Sequence, residues 1–547
     1  MRIYHVAIIG GAMGYPFKTS FASNIFDNKY GQGRTWAENS KLLVEEVCGD
    51  ILHLEEQAEL IQYITDMKFI PAGRYLYYAG QEKSFYNNCF CLGAKEDTRE
   101  EWCRITHNAM SCLMSGGGIG VDYSLFRPAG SYLGRTGGTA SGPIPLMKVM
   151  NEVGRNVMQG GSRRSALYAS LLWSHDDIDD FIFAKDWSQT VRDLKAKDFN
   201  FPADLDMTNI SVNYDDAFLS AIENEDTKAW SVWNNNINQM LSTAEPGMSF
   251  NFGENSKDTL RNACAEFTSE DDSDVCNLGS INLGTIRDMP ELARVSYLAS
   301  KFLVCGGYKA DLPYEAVMET REKNRKIGLG VMGVHEWLLR KGYRYEMNDE
   351  LESWLYLWTQ ANEAGANAIS DALGINRPKK YRAIAPTGTI GILASTTTGI
   401  EPLYAVAYKR RYLTEGTKWN YEYVIDATAE HLIQTYGLNP DEIETASTLA
   451  KDPERRIKFQ YEVQKFVDMS ISSTLNLPPY QEQDFTPEEF SEIVLKYARG
   501  LRGLTVYPDG ARGGQPLTAV PYAEAKKSEG MIFFETEEKC SGGLCGI

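Results

Sequence analysis

Between residues 79 and 165 the chain is cut by glycine turns at regular intervals: Ala79-Gly80-Gln81, Ser115-Gly116-Gly117-Gly118-Ile119-Gly120, Thr136-Gly137-Gly138-Thr139 and Gln159-Gly160-Gly161-Ser162-Arg163-Arg164-Ser165. Apolar runs separate them. Glycine tolerates positive φ and close backbone approach, so this punctuation fits a sheet whose connecting loops pass near a ligand. Two further strand-and-turn units follow: Ala383-Ile384-Ala385 running into Pro386-Thr387-Gly388-Thr389-Ile390-Gly391, and Gly503 to Arg512. Residues 35–67 show apolar positions at helical spacing and predict two helices, and 287–375 read as mainly helical with a loop at Gly328 to Gly333. Leu171 to Phe183 reads as a strand leading to an acidic helix start, with Asp176, Asp177, Asp179 and Asp180 as a solvated cap. Strands and helices in alternation point to an α/β body.

The 547 residues carry a formal charge of −19, which argues against non-specific nucleic-acid binding, because that rests on Lys and Arg neutralising phosphates. Any phosphorylated ligand must then be met by local donors. Pro386, Thr387, Gly388, Thr389 and Ile390 offer small hydroxyls and backbone N–H groups suited to an anion. No stretch of eighteen apolar residues occurs, and the start, Met1 to Gly10, is too short and too soon broken for a signal peptide or span; the chain is read as cytoplasmic. Gly10, Gly11 and Gly14 miss dinucleotide-binding spacing and are followed by Tyr15-Pro16, so this stretch is read as an arm.

Ten cysteines lie at 48, 89, 91, 103, 112, 264, 276, 305, 540 and 545. Without a secretory signal they point to redox or radical chemistry rather than a disulfide framework. No metal site is expected, since Cys89/Cys91 and Cys540/Cys545 lack zinc spacing and accompanying histidines. Cys48, Cys103, Cys112 and Cys305 are read as small buried hydrophobes. If residues 262–266 are extended, Asn262, Cys264 and Glu266 share one face, and Cys276 is placed to bring a second sulfur. The terminus around Cys540 and Cys545 is rich in glycine and charge and is expected to be mobile, so the pair could exchange with a disulfide in a closed site.

The ordered set PAGR (71–74), NCF (88–90), GGGIG (116–120), QGGSRR (159–164), Asn262/Cys264/Glu266, CNLGSINL (276–283), PTGTIG (386–391), GIEP (399–402), TVYPDGAR (505–512) and the terminal cysteine pair resembles the catalytic, or alpha, subunit of ribonucleotide reductases. The resemblance implies a ten-stranded α/β barrel with a central finger loop, preceded by a short helical region. It divides the chain into a helical region (1–70), a barrel (71–515) and a redox-active tail (516–547).

By this resemblance Cys264 is the thiyl radical that takes a ribonucleotide's 3′ hydrogen, Glu266 the base for the 3′ hydroxyl, and Asn262 a ribose ligand. Cys89 and Cys276 reduce the 2′ position and end as a disulfide, which Cys540 and Cys545 re-reduce for a thioredoxin- or glutaredoxin-type partner. Asn88, Gly117, Gly118 and residues 386–390 would hold a ribonucleoside di- or triphosphate. Asp97, Ser162, Arg163 and Arg164 would bind a deoxynucleotide effector that sets substrate choice, usually across a homodimer. The radical would come from adenosylcobalamin or from a separate ferritin-like, metal-containing subunit. The short Cys264-to-Cys276 interval and the single Tyr507, a candidate for radical transfer flanked by Val506 and Pro508, resemble the cobalamin group. The compact chain also resembles minimal virus-encoded enzymes that act in a host cytoplasm, and no overall dATP on/off control is expected. A glycyl-radical enzyme and a non-catalytic nucleotide-binding barrel are the alternatives; neither would use both the 262–266 constellation and the terminal pair.

Overall fold

The computed structural model describes residues 17–157, 165–198, 201–413, 419–511, 517–528 and 532–534. The helices Trp36–Cys48 and Leu54–Thr65 form where the periodicity places them, the first closed by a reciprocal cap in which Thr35 Oγ1 accepts from Glu38 N–H and Glu38 Oε2 accepts from Thr35 N–H. They share one apolar core with the second half of the chain, through Leu43, Val47 and Leu60 on one side and Leu298, Phe302 and Leu355 on the other.

A short strand, β1 (Phe69–Pro71), comes next. Five strands then run parallel in one sheet: β2 (Cys89–Gly93), β3 (Gly118–Asp122), β4 (Leu167–Leu172), β5 (Thr208–Asp215) and β6 (Gly247–Asn251). β2 and β4 are mostly apolar and buried along nearly their whole length, as expected of strands covered on both faces, whereas β5 alternates polar and apolar residues. The chain next makes the hairpin β7 (Leu260–Arg261) and β8 (Thr268–Ser269), and β9 (Asp274–Val275) pairs back onto β2.

A second half repeats the arrangement. β10 (Leu278–Asn282) lies parallel to β11 (Gly328–Met332), and β11 bonds to residues 381–385 through Leu329 N–H to Tyr381 O at 3.1 Å. After a small sheet built on β12 (Ala407–Leu413) and β13 (Trp419–Ile425), residues 469–473 run parallel to 382–384 and lead into β14 (Thr474–Leu477), which pairs parallel with β15 (Gly503–Pro508). The two five-stranded halves join antiparallel at β15 and β6. On the other side they close where Cys276 N–H donates to Cys89 O at 2.9 Å and Asn88 N–H to Cys276 O at 3.3 Å. The result is the ten-stranded barrel that the resemblance implied, with the β7/β8 hairpin as its finger.

Of the segment Gly328 to Gly333, expected as a loop, Gly328–Met332 is instead buried strand β11. Its glycines are there for clearance: a Cβ on Gly328 would stand 2.4 Å from Leu278 Cδ2, and one on Gly330 would stand 2.6 Å from Ala383 O. Asp177 also departs from expectation: it is buried and accepts from Ala129 N–H at 3.0 Å, while its acidic neighbours are exposed. Cys48, Cys112 and Cys305 are buried but Cys103 is exposed, on the solvent side of helix Arg99–Met114. Among the described residues no helix is long and apolar enough to cross a membrane.

Candidate active site

The hairpin tip enters the barrel between its halves. A Cβ on Gly120 of β3 would stand 1.9 Å from Arg261 O, so only glycine lets the finger pass. The fully buried Arg261 guanidinium fixes the stem, donating to Asn251 Oδ1 at 2.6 Å and to the carbonyls of Asp258, Leu260, Phe250 and Arg502. The other half holds the tip through Ser470 N–H to Glu266 O at 2.9 Å.

The tip is not extended, as assumed from the sequence, but a tight turn: Ala265 N–H donates to Asn262 O at 3.0 Å and Ala265 has φ +65°. A hairpin confined to a barrel lumen must reverse within a few residues, which alternation along a strand does not foresee. Asn262 Oδ1 accepts from Phe267 N–H at 3.0 Å, further tightening the turn. Cys264 and Glu266 both end on the wall of one cavity of about 310 Å³, with Asn88 and Cys89.

Cys89 and Cys276 face each other across the barrel closure, Cys89 N–H donating to Cys276 Sγ at 3.0 Å. Hydrogen bonds from Cys264 and Cys276 pull the Cys89 thiol pKa down, whereas burial pushes that of Cys276 up. Burial, reinforced by Cys89, pushes the Glu266 carboxyl up to about 8. Glu266 Oε2, Asn262 Nδ2 and Asn88 Oδ1 are buried without hydrogen-bond partners. Of these, Glu266 and Asn88 line the cavity together with Cys89 and Cys264, and unpartnered polar groups beside thiols are what a site for a polar ligand presents.

Residues 386–390 line the same cavity. Thr387 is at φ +50° and caps helix Gly388–Ala394, and its Oγ1 accepts from Gly399 N–H at 2.9 Å. At the 116–118 turn it is Gly116 that lines the cavity. Gly117 and Gly118 lie behind it, where a Cβ would stand 2.2 Å from the Phe90 ring or 3.1 Å from Cys89 Sγ. On β15, Leu504, Val506 and Pro508 are buried, and the alternation leaves Tyr507 with Thr505 on the opposite face. Cys540 and Cys545 lie outside the described residues.

The sequence reading missed Lys29, Tyr30 and Arg74, all on the cavity wall. Lys29 and Tyr30 come from a π-helical turn, Asp27–Gly31, with no signature in the sequence pattern; Arg74 was in view within PAGR but without a role.

A second cavity, of about 860 Å³, is lined by Asp97, Trp102, Arg127, Arg135, Thr136 and Ser141 among others. Asp97 Oδ2 accepts from Arg127 Nε at 2.5 Å. Ser162, Arg163 and Arg164 lie outside the described residues; beyond them, Ala166 lines the 310 Å³ cavity. No cluster of candidate metal ligands occurs among the described residues.

A family model described as the ribonucleotide reductase barrel domain matches residues 87–228, 204–354 and 376–507. A vitamin B12-dependent ribonucleoside-diphosphate reductase of Mycobacterium tuberculosis is 28% identical over 544 residues, covering 88% of this chain and 74% of that protein. One of the same name from Thermoplasma acidophilum is 28% identical, covering 86% and 67%. A putative adenosylcobalamin-dependent ribonucleoside-triphosphate reductase of Mycobacterium phage D29 is 26% identical, covering 78% and 71%. In fold, the chain matches the class Id ribonucleotide reductase alpha subunit of Actinobacillus ureae with a TM-score of 0.70 at 15% identity, covering 90% of this chain and 97% of that one.

Proposed function

Since the chain belongs to the ribonucleotide reductase family, whose catalytic subunits convert ribonucleotides to deoxyribonucleotides, we propose that Cys264, Cys89, Cys276, Glu266 and Asn262 carry out that reduction. The observation that carries this assignment is the meeting of Cys89, Cys264 and the buried Glu266 carboxyl at one cavity, with Cys276 against Cys89.

Once Cys264 is a thiyl radical, it takes the 3′ hydrogen atom and leaves the radical on C3′. Glu266, in its ionised form, accepts the 3′ hydroxyl proton, and Asn262 Nδ2 holds the ribose. A Cys89 proton lets the 2′ hydroxyl depart as water. Cys89 and Cys276 then supply the remaining hydrogen and electron to the sugar and close as a disulfide. Cys264 returns its hydrogen to C3′ and is again a radical. In sum, one C–O bond and two S–H bonds break, while one C–H bond, one S–S bond and one water form. Cys540 and Cys545 would reset the disulfide, with a thioredoxin- or glutaredoxin-type protein as electron donor.

The substrate's phosphates are assigned to Pro386–Ile390, beside Asn88. Gly117 and Gly118 are assigned clearance for Phe90 and Cys89 rather than contact. The 860 Å³ cavity is assigned to a deoxynucleotide effector, held by Asp97 and Arg127, in a homodimer; Ser162, Arg163 and Arg164, outside the described residues, keep the effector role that the resemblance implies.

For the radical source we favour adenosylcobalamin, which when bound supplies a carbon radical able to oxidise a thiol. Two features support it. Cys264 is partly exposed at the cavity, and the neighbours of Tyr507 are the buried Val506 and Pro508 rather than a second tyrosine, such as relatives with a separate radical-generating subunit carry at this point. Tyr507 remains the candidate relay of the competing arrangement, with a ferritin-like partner subunit. The test is anaerobic turnover of a ribonucleotide with a dithiol, with and without adenosylcobalamin. Turnover that needs only the cofactor is expected. Turnover that instead demands a second protein would reverse the assignment, and deoxynucleotide formed by Cys264→Ala would sink the chemistry.

A further inference from the structure

We propose that Arg74 binds the substrate's phosphates, its unbonded Nη1 being the charged donor that complements the neutral loop Pro386–Ile390. This rests on the reading of the cavity as a ribonucleotide site and extends it to a residue before the start of the family match at 87.

The guanidinium is held firmly. Nε donates to Phe85 O at 3.2 Å, Nη2 to Ser115 O at 2.5 Å and to Tyr78 Oη at 3.1 Å, and the group lies 4.7 Å from the centroid of the Tyr78 ring. Every one of these partners is neutral. Nη1 has no acceptor among the described residues, and it lies against Gly116, where a Cβ would stand 2.1 Å away. Arg74 and Gly116 both line the catalytic cavity. The groups that favour its charge are Tyr78, Tyr77 and Cys89, with no carboxylate among them, while burial opposes it.

A half-buried cation bonded only to neutral groups carries a desolvation cost that an anion would offset. Several buried lysines in this acidic chain are paired: Lys326 with Asp274 at 2.9 Å, Lys301 with Glu56 at 2.6 Å, Lys195 with Asp206 at 2.8 Å. Among the described residues Arg261, Arg456 and Arg325 also lack a carboxylate partner, but of these arginines Arg74 is the one on the wall of this cavity. Residues 386–390 carry hydroxyls and amides but no charge, so by themselves they leave a di- or triphosphate uncompensated; the cations on the cavity wall are Arg74 and Lys29. The rigid fork of arginine suits a phosphate oxygen pair, and the planar group's three fixed hydrogen bonds leave Nη1 pre-oriented. The nucleobase is neutral and gives no comparable reason for an uncompensated cation. Gly116 then has a function too, since any side chain there would displace the guanidinium.

The test uses the full-length protein with Arg74→Gln and Arg74→Lys. Equilibrium binding is measured for a ribonucleoside diphosphate, the matching triphosphate and the unphosphorylated nucleoside. Arg74→Gln should weaken both nucleotides about tenfold and leave the nucleoside unchanged, with Arg74→Lys between; the loss should appear in KM more than in kcat. Equal weakening of nucleoside and nucleotides, or unchanged nucleotide binding, would overturn the assignment. Should Arg74→Gln not fold, the wild-type protein serves: inorganic pyrophosphate and nucleotide, but not nucleoside, should shield Arg74 from a dicarbonyl reagent, and no shielding would overturn it. Shielding by pyrophosphate in a protein that bound no ribonucleotide would leave Arg74 an anion site and sink the wider reading of the cavity.

Discussion

Glu266 shows how burial sets a side chain's working range. It is 1% exposed, its Oε2 has no hydrogen-bond partner, and its carboxyl is pushed up to about 8. A proton acceptor must first be ionised, so kcat/KM should rise with pH through a midpoint near 8, and Glu266→Gln should lose at least about a hundredfold and show no such rise. A pH profile of wild type and variant checks this; a wild-type midpoint near 4 would contradict it. Stability follows the opposite course. The folded carboxyl holds its proton more tightly than the unfolded one, so this group's contribution is complete below about pH 4 and lost as pH rises through about 8. Glu266→Gln should therefore gain on wild type in urea midpoint as pH rises from about 5 to about 8. An equal difference at every pH would refute the linkage.

The finger hairpin is the element on which the proposed chemistry depends, and its position is fixed by features far from Cys264. Gly120→Ala would put a methyl where Arg261 O lies, 1.9 Å from the ideal Cβ. The hairpin must shift by about an ångström, and a misplacement of that size can cost about a hundredfold in kcat. The expected result is a hundredfold fall in turnover with helical content retained by circular dichroism; full activity would mean that the tip is not tightly confined. This element also marks how far sequence reasoning reached. Cys264, Glu266, Cys89 and Cys276 were legible because each carries distinctive chemistry in an ordered set of motifs. The turn at 262–265 was not, because the need to reverse inside a barrel is a tertiary constraint absent from local pattern. Gly328 and Gly330 misled for a related reason. Glycine reads locally as a turn, whereas here it admits Leu278 and Ala383 against a central strand. Lys29 and Tyr30 had no local signal at all, since what gives them meaning is the packing of an N-terminal turn beside Gly73: a Cβ there would stand 2.7 Å from Tyr30 Oη.

At the scale of the whole molecule, two cavities are joined by one rigid element. Helix Arg99–Met114 starts beside Asp97 and Trp102, on the wall of the 860 Å³ cavity, and ends at Ser115 and Gly116, against Arg74 at the catalytic cavity. Its 16 residues span about 24 Å. A ligand that pulls Arg127 away from Asp97 acts at one end of this helix, and a polyphosphate that engages Arg74 acts at the other. If the two ends favour the same placement of the helix, each ligand binds more tightly when the other is present, and by the same factor, because coupling free energy is reciprocal. A factor of about 5 to 150 corresponds to the usual 1–3 kcal/mol. Titrating a deoxynucleotide with and without saturating ribonucleotide should therefore show a shift equal to that of the reverse titration. Arg127→Ala should weaken the deoxynucleotide and shrink both shifts together. Shifts that stay equal and undiminished in Arg127→Ala would place the coupling elsewhere than the Asp97 end of this helix.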